Sequence, residues 1–154
     1  MIRRIVVICT GNICRSPLAE VILRNHLPGC EVVSAGIAAL VNHPADPMAQ
    51  IVAKENGLDI SAHRAQQATQ VMLTTMDLIL ALDQGHSDWI RAKFPQLQGR
   101  THKLGRWRKN MDIADPYRRP LSAFERAFAE ISSCSEDWIQ RLGAPQAVEE
   151  EPRS

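Results

Sequence analysis

The N-terminal segment IVVICTGNICRSP, residues 5–17, holds a cysteine and an arginine at a spacing that suits chemistry on an oxyanion. Cys9 directly follows an apolar run, and Arg15 comes after five intervening residues. Backbone N–H groups in a short loop that leads into a helix can converge on an anion, and a thiol placed there is expected to ionise. The planar guanidinium of Arg15 can hold two oxygens of a tetrahedral oxyanion. The segment therefore predicts a thiolate nucleophile beside an oxyanion site.

Two other interpretations of this segment compete with a reactive site. Cys9 could be an ordinary buried cysteine and Arg15 an ordinary surface arginine, because cysteine often packs as a small apolar side chain. The preceding apolar run, the glycine and the Ser-Pro pair together favour the reactive site. A Walker-type nucleotide loop is excluded, because the sequence contains no GxxxxGK[ST] string.

The residues around the loop predict the elements that position it. Residues 5–8 are β-branched throughout, which predicts a short buried strand. Ser16 is expected to cap a helix whose first residue is Pro17, since proline lacks the N–H that this position leaves unused. The loop between strand and helix is therefore predicted to span residues 9–15.

Strands and helices alternate along the rest of the chain. Asp46-Pro47 marks a helix start, and Gly57 lies where such a helix should end. The predicted strands are residues 5–8, 31–36, 77–82 and 100–104, and the predicted helices are residues 17–27, one from Pro47, one through Phe94 and a last one closed by Gly143. This order predicts a single doubly wound α/β domain with a mainly parallel sheet of about four strands flanked by helices. In such sheets ligands bind beyond the carboxyl ends of the strands, where Cys9 lies.

Length and charge limit the classes of protein that the chain can be. A chain of 154 residues predicts one domain, for which we expect the bounds 1–143, followed by a flexible acidic tail over residues 144–154. A formal net charge of +1 argues against nucleic acid as a partner, because binding to phosphate backbones needs a basic surplus. The apolar run after Arg4 is too short for a signal peptide, and no stretch is long enough to span a membrane.

The cysteines indicate the compartment. Cys9, Cys14, Cys30 and Cys134 form no CxxC pair and no zinc-like Cys/His spacing. Neither a metal site nor a disulfide framework is therefore predicted. We expect a cytoplasmic, reduced protein that inserts into no membrane.

The string DIADPY contains a candidate proton donor. A thiolate that attacks phosphorus needs a group to protonate the leaving oxygen, and Asp115 precedes Pro116 in a loop near the strand ends. Taken alone, an Asp-Pro pair is more often an ordinary turn.

Five strings occur in order along the chain: VICTGNICRSP, SAG, HRAQQAT, DLILALD and DIADPY. Together they resemble the low-molecular-weight protein tyrosine phosphatase family over nearly the whole chain. The first string matches the phosphate loop of that family without a gap. LGRW followed by DIADPYRRP is similar to the bacterial branch of the family that is tied to capsule and exopolysaccharide production.

The resemblance implies a mechanism without cofactor or metal. Cys9 would form a phosphocysteine intermediate, and Arg15 would hold the phosphoryl oxygens. Asp115 would act as the acid in the first step and as the base that activates water in the second. The other residues expected to bind phosphate are Thr10, Gly11, Asn12, Ile13, Cys14 and Ser16.

The resemblance also implies supporting residues. Ser16 can donate a hydrogen bond to the Cys9 thiolate and so favour its charged form. Asn12 is expected to brace the loop from inside, and Ser34 and His63 match supporting positions of the family. Taken alone, His63 would be read as a solvent-facing or otherwise satisfied histidine.

Leu40 and Tyr117 are the expected walls of the substrate cleft. Leu40 falls where many eukaryotic relatives have an aromatic residue, which implies an aliphatic wall and a different substrate preference. Arg118 and Arg119 either attract acidic phosphopeptides or are simply solvated. Cys14 either forms a protective disulfide with Cys9 or is a small buried apolar residue, and the sequence leaves both open.

Two other functions are compatible with the loop. An arsenate reductase of the same fold would need further cysteines, and the segment LALDQGHSD has none. A non-catalytic phosphotyrosine-binding module would need neither a nucleophile nor an acid, whereas Cys9 and Asp115 are both present. The expected partner is a tyrosine-phosphorylated protein, and the branch resemblance implies a bacterial tyrosine autokinase.

Overall fold

Four strands form a parallel sheet in the computed structural model, which describes the backbone of residues 1–150 and the side chains of residues 1–143. The strands are β1 (Arg4–Cys9), β2 (Glu31–Gly36), β3 (Leu78–Ala81) and β4 (Thr101–Lys103). Their order is β2-β1-β3-β4, and every neighbouring pair is parallel. Nearly all side chains of β1 and β3 are buried, as expected when helices cover both faces. The predicted α/β fold is confirmed.

Helices lie on both faces of this sheet. On one face are α1 (Arg15–His26), α2 (Pro47–Glu55) and α5 (Leu121–Glu150), and on the other are α3 (Gln70–Thr74), α4 (Gln84–Lys93) and a 3₁₀ helix (Pro95–Arg100). The chain leaves β1 toward α1 and leaves β3 toward α4, so the two loops diverge to opposite faces. This divergence opens a crevice beyond the carboxyl ends of β1 and β3, where doubly wound folds bind ligands.

The helix α2 has the start and the end that the sequence predicts, whereas the start of α1 differs from the prediction. Asp46 caps α2 by accepting a hydrogen bond from the Met48 N–H (2.8 Å), and Gly57 after this helix has a φ of 76°. The first helix begins at Arg15, not at Pro17, and its cap residue Cys14 makes no side-chain capping bond. The prediction that Ser16 is a helix cap is wrong, because its hydroxyl is used by the loop that precedes the helix.

The last helix is longer than predicted. It passes through Gly143 and continues to Glu150, so the expectation that Gly143 closes it is wrong. A glycine inside a helix costs about 1 kcal/mol relative to alanine, which is too little to end a helix that packs on its neighbours. The flexible acidic tail over residues 144–154 stays a prediction, and residues 151–154 lie outside the described part of the chain.

Two short elements were not predicted: α3 and the 3₁₀ helix. Both are too short for a helical repeat of apolar residues to stand out. None of the helices described in residues 1–150 has the length and apolar character needed to cross a membrane.

Candidate active site

The loop between β1 and α1 has all its carbonyl groups turned away from the site. The carbonyl oxygens of residues 9–13 each accept a hydrogen bond from another segment: from the N–H groups of Ile37, Ala38, Leu40 and Asp46, and from the His63 ring. Within the described residues, the backbone N–H groups of residues 10–14 donate to no protein acceptor. Such a row of free N–H groups above a helix N-terminus is an anion site.

Cys9 lies at the start of this loop, at the end of β1. Its Sγ is 2.7 Å from the Ser16 Oγ, and that oxygen also accepts a hydrogen bond from the Asn12 Nδ2 (2.8 Å). Because the Asn12 amide is the donor to Ser16, the hydroxyl proton of Ser16 remains free to donate to the Cys9 sulfur. The structure therefore places the Ser16 hydroxyl against the Cys9 sulfur, with the Asn12 amide holding the hydroxyl oxygen from the other side.

Asn12 holds the loop from behind. It is fully buried with a φ of 60°, a left-handed conformation that asparagine tolerates better than most residues. Its Nδ2 also donates to the Ser34 Oγ (2.9 Å), and its Oδ1 accepts from the Gln66 N–H (2.9 Å). The His63 Nε2 lies 2.6 Å from the Asn12 carbonyl oxygen. Burial is the main cause that lowers the pKa of His63, so a neutral ring donates this bond.

The end of β2 approaches the loop at Gly36. A Cβ atom at this position would lie 2.4 Å from the Thr10 carbonyl oxygen, so only glycine fits there. The following Ile37 and Ala38 N–H groups donate to the carbonyls of Cys9 and Thr10 at 3.0 Å. The pattern SAG marked the strand end in the sequence, but this close approach carried no sequence signal.

Arg15 is almost fully buried and is held from one side. Its Nη1 donates to the Asp83 Oδ2 (2.9 Å) and to the Ile113 carbonyl (2.7 Å). Its Nη2 is engaged more weakly, 3.4 Å from the Thr10 Oγ1 and 3.7 Å from the Asp115 Oδ2. One guanidinium nitrogen is therefore anchored, and the other faces the cleft.

Asp83 and His86 at the start of α4 complete this anchor. They form a capping box, in which the Asp83 Oδ1 accepts from the His86 N–H and the His86 Nδ1 accepts from the Asp83 N–H (3.2 Å). Burial raises the pKa of Asp83, but the hydrogen bond from Arg15 and the neighbouring charges outweigh it, and the net pKa is lowered. Burial lowers the pKa of His86 to about 4, so its neutral Nε2–H donates to the Thr10 Oγ1 (2.9 Å).

Asp115 lies in the loop before α5, at the mouth of the same cleft. Its Oδ1 accepts a hydrogen bond from the Tyr117 N–H (3.1 Å), which fixes the turn, and its side chain is 48% exposed. Leu40 and Tyr117 are 38% and 39% exposed. The cleft has a volume of about 170 Å³ and is lined by Cys9, Thr10, Gly11, Ile13, Cys14, Arg15, Ala38, Leu40, Asp115 and Tyr117.

The predicted site residues therefore fall into two groups. The cleft contains the proposed nucleophile, arginine, acid and walls, and Asn12, Ser16, Ser34 and His63 lie behind the loop. Cys14 is buried, and burial is the main cause that raises the pKa of its thiol. A disulfide between it and Cys9 stays a prediction.

Sequence reasoning missed several residues of the site: Gly36, Gln66, Asp83 and His86. Only Asp83 and His86 had a local signal, because an aspartate with a polar residue three positions later, after a strand, is typical of a helix cap. Their contacts with Arg15 and Thr10 join distant segments and were not accessible from spacing.

An anion loop that begins with a thiol, at the crevice of a doubly wound sheet, is typical of enzymes that transfer tetrahedral oxyanions through cysteine. Comparison with known proteins narrows this class. The family model described as low molecular weight phosphotyrosine protein phosphatase matches residues 4–148. The chain belongs to this family and is a low molecular weight protein-tyrosine phosphatase, as the sequence predicted.

Individual relatives agree with this assignment. The probable low molecular weight protein-tyrosine-phosphatase EpsP of Ralstonia nicotianae is 46% identical over 94% of this chain and 99% of that protein. Etp of Escherichia coli K12 is 42% identical over 90% of this chain and 93% of that protein. The structure of Vibrio vulnificus Wzb in complex with benzylphosphonate has a TM-score of 0.89 and 40% identity, with 92% and 99% of the two chains covered. An arsenate reductase and a non-catalytic binding module are not favoured.

Proposed function

We propose that Cys9 is the nucleophile of this phosphatase and that Arg15, the free N–H groups of residues 10–14 and Asp115 complete its chemistry. The observation that carries the proposal is the loop itself, whose carbonyls are all bonded outward while its N–H groups have no protein acceptor among the described residues. A phosphoryl group has the charge and the oxygens that such a loop accepts.

In the first half-reaction the Cys9 sulfur attacks phosphorus. The S–P bond forms as the bond from phosphorus to the tyrosine oxygen breaks, and the electron pair of that bond stays on the phenolate oxygen. The Arg15 Nη2 and the loop N–H groups hold the remaining phosphoryl oxygens, where negative charge is spread in the transition state. The anchor on the Arg15 Nη1 orients the guanidinium before substrate arrives.

Asp115 transfers the protons. In its protonated form it gives a proton to the leaving phenolate oxygen, and as a carboxylate it then takes one from the water that attacks the phosphocysteine. The second half-reaction breaks the S–P bond, releases inorganic phosphate and returns the Cys9 thiolate. The position of Asp115 at the cleft mouth, 3.7 Å from the Arg15 Nη2, supports this role.

The cleft walls support an aryl phosphate as the substrate. Leu40 and Tyr117 present apolar surface on the rim, where the phenyl ring of a phosphotyrosine would pack. A tyrosine-phosphorylated protein is therefore the substrate class. The proposal extends to a bacterial tyrosine autokinase that controls exopolysaccharide production, and to the cytoplasm as the location, because a catalytic thiolate needs a reducing compartment.

Hydrolysis of a phosphotyrosine peptide by the intact chain and by Cys9→Ser tests the residue assignment. Cys9→Ser should fold and bind phosphate but lose essentially all turnover, because a serine hydroxyl is not ionised at neutral pH. Retention of more than about a tenth of the activity would contradict the assignment of the nucleophile. The partner is tested separately with a purified tyrosine-autophosphorylated kinase from the same organism, which should lose its phosphotyrosine only with the active chain.

A further inference from the structure

A polar cavity distinct from the active cleft lies beside α4, at the β4 edge of the sheet. It has a volume of about 360 Å³, and its lining includes Arg91, Lys103 and Arg106 but no carboxylate. The neutral lining residues Gln84 and Ser87 add hydrogen-bond donors. The lining therefore suits an anionic group.

The sequence around this cavity is locally basic, although the whole chain is nearly neutral. Residues 99–111 contain five lysines and arginines and no aspartate or glutamate, whereas the formal net charge of the chain is +1. This concentration of charge is not explained by the phosphate loop, because none of these residues lines the cleft that contains Cys9.

Two of the three cations already have carboxylate partners. Lys103 pairs with Asp112 (2.8 Å), and Arg91 pairs with Asp88 (3.1 Å). Of the side chains that the structure describes, no carboxylate pairs with Arg106. The positive charge of Arg106 is therefore uncompensated.

Arg106 is nevertheless held in place by neutral groups. Its guanidinium lies 4.6 Å from the centre of the Trp107 ring, and its Nη1 is 3.1 Å from the His102 Nδ1. Burial and then the charge of Arg106 lower the pKa of His102, so the ring is neutral and accepts this bond. An exposed arginine that is fixed without a counter-ion loses little freedom when an anion binds to it.

The cavity lies next to the residues that anchor Arg15. Gln84 lines it and directly follows Asp83, whose carboxylate anchors Arg15. Asp112 bonds to both the Gln84 N–H (3.1 Å) and Lys103, and it precedes Asp115 by three residues in the chain. A peptide advances by about 3.3 Å per residue when extended, so an anionic group that binds in the cavity must lie within a few residues of the phosphotyrosine.

From this geometry we propose that the cavity at Arg106 binds an acidic side chain of the protein substrate, a carboxylate or a second phosphoryl group close to the phosphotyrosine. The proposal rests on the proposed function. A peptide fits the observations better than a nucleic acid, because one uncompensated arginine in a small cavity cannot neutralise the several phosphates on which nucleic-acid binding depends.

The test compares phosphotyrosine peptides that differ only beside the phosphotyrosine: one with neutral glutamine flanks, one with glutamate flanks and one with a second phosphotyrosine. The intact chain should show a higher kcat/KM for the acidic peptides, and Arg106→Gln should reduce this preference by about threefold to tenfold. A larger effect with the second phosphotyrosine assigns the cavity to phosphate, and a larger effect with glutamate assigns it to carboxylate. The kcat for a nitrophenyl phosphate should be unchanged, since that substrate does not reach the cavity.

Matched variants separate this site from general charge effects. Arg126→Gln removes an exposed arginine of α5 and the same unit of charge, and it should leave the preference unchanged. Arg106→Lys keeps the charge and should retain part of the preference, even if Arg106→Gln disturbs the loop. An equal loss in Arg126→Gln would overturn the proposal.

The remaining outcomes are also decisive. Equal kcat/KM for acidic and neutral peptides with the intact chain would overturn the cavity proposal but leave the phosphatase assignment standing. Failure to hydrolyse any of the peptides would instead contradict the proposed function. Competition by a single-stranded oligonucleotide that depends on Arg106 would show that the cavity serves nucleic acid and would also overturn the proposal.

Discussion

The phosphate loop and the rim of the cleft are a few ångströms apart but are built in opposite ways. In the loop, carbonyls and side chains are bonded to other segments, and Asn12 and Ser16 are fully buried. On the rim, Leu40 and Tyr117 are more than a third exposed, and Asp115 has only a turn bond and a loose contact with Arg15. A buried, fully bonded loop keeps the reacting atoms in place, whereas an exposed rim can change with the substrate.

The comparison predicts that substitutions in the rim and in the loop affect stability and turnover differently. A variant of a side chain that braces the loop, such as Asn12, should lose stability and turnover together, because the same hydrogen bonds serve both. A rim variant should keep its stability and change only the handling of the substrate.

Among variants of the rim and of the side chains that brace the loop, the largest effect is expected for Asp115→Ala, because Asp115 is the rim residue with a chemical role. The phenol of tyrosine has a pKa near 10 and leaves poorly as an anion, so phosphotyrosine hydrolysis should slow by about 10²- to 10⁴-fold. A nitrophenyl phosphate has a better leaving group, and its hydrolysis should slow clearly less. Single-turnover phosphorylation of Cys9 by both substrates is the measurement.

The control for this experiment is Asp112→Asn, which removes a nearby carboxylate that pairs with Lys103. Its effect should be small and equal for both substrates. Identical slowing of both substrates by Asp115→Ala would mean that Asp115 only shapes the loop.

Asn12→Ala should lower both stability and turnover. The substitution removes the amide nitrogen that donates to Ser16 and Ser34 and the amide oxygen that accepts from the Gln66 N–H. The loss of these bonds should reduce the free energy of unfolding by about 2–4 kcal/mol. Urea unfolding and kcat measure the two effects. Asn42→Ala is the matched control, because Asn42 is exposed and also has a positive φ of 69°. Equal losses in the two variants would assign the effect to the backbone rather than to the hydrogen bonds.

His86, which belongs to the buried anchor of Arg15, predicts a pH dependence of the free energy of unfolding. The pKa of His86 falls from 6.5 to about 4 in the folded state, so the unfolded chain takes up a proton between these values and the folded chain does not. Stability is therefore complete above about pH 6.5 and decreases as the pH falls toward 4, by up to about 3 kcal/mol from this residue.

Urea unfolding at pH 7 and pH 4.5 measures this contribution. His86→Gln should lose less stability between the two values than the parent chain does. His43→Gln changes an exposed histidine and should follow the parent chain. The same pH dependence in all three proteins would show that His86 is not the group responsible.

The smallest effect is expected for Leu40→Trp on the rim. An aromatic side chain beside the substrate ring should add about 0.5–1.5 kcal/mol of stacking and lower KM for small aryl phosphates by about two- to tenfold, with little change in kcat. Val41→Trp adds the same side chain at a neighbouring exposed residue outside the cleft lining. If KM is unchanged in Leu40→Trp, or changes equally in both, Leu40 does not contact the substrate.

The sequence was sufficient for the features that depend on local chemistry. Strand β1 was predicted because residues 5–8 are β-branched. The start of α2 was predicted because aspartate can cap a helix and proline suits its first position, as Asp46 and Pro47 do here. The order of elements then led to the parallel sheet and placed the Cys9 loop at its carboxyl edge.

The features of the site that the sequence did not predict depend on contacts between distant segments of the chain. The anchors of Arg15 are 68 and 98 residues away in the chain, and a carbonyl such as that of Ile113 carries no signal in its residue type. Ser16 was misassigned because the same hydroxyl can cap a helix or bond to Cys9, and only the tertiary position of Asn12 decides between them.

The central claim is that phosphate passes through the sulfur of Cys9. Rapid acid quenching during phosphotyrosine hydrolysis, followed by mass analysis of the peptides, tests it directly, with Cys14 in the same loop as an internal comparison. The account predicts a phosphoryl group on Cys9 that appears before phosphate is released and is absent in Cys9→Ser. Steady release of phosphate with no phosphorylated Cys9, or with the label on Cys14, would contradict it.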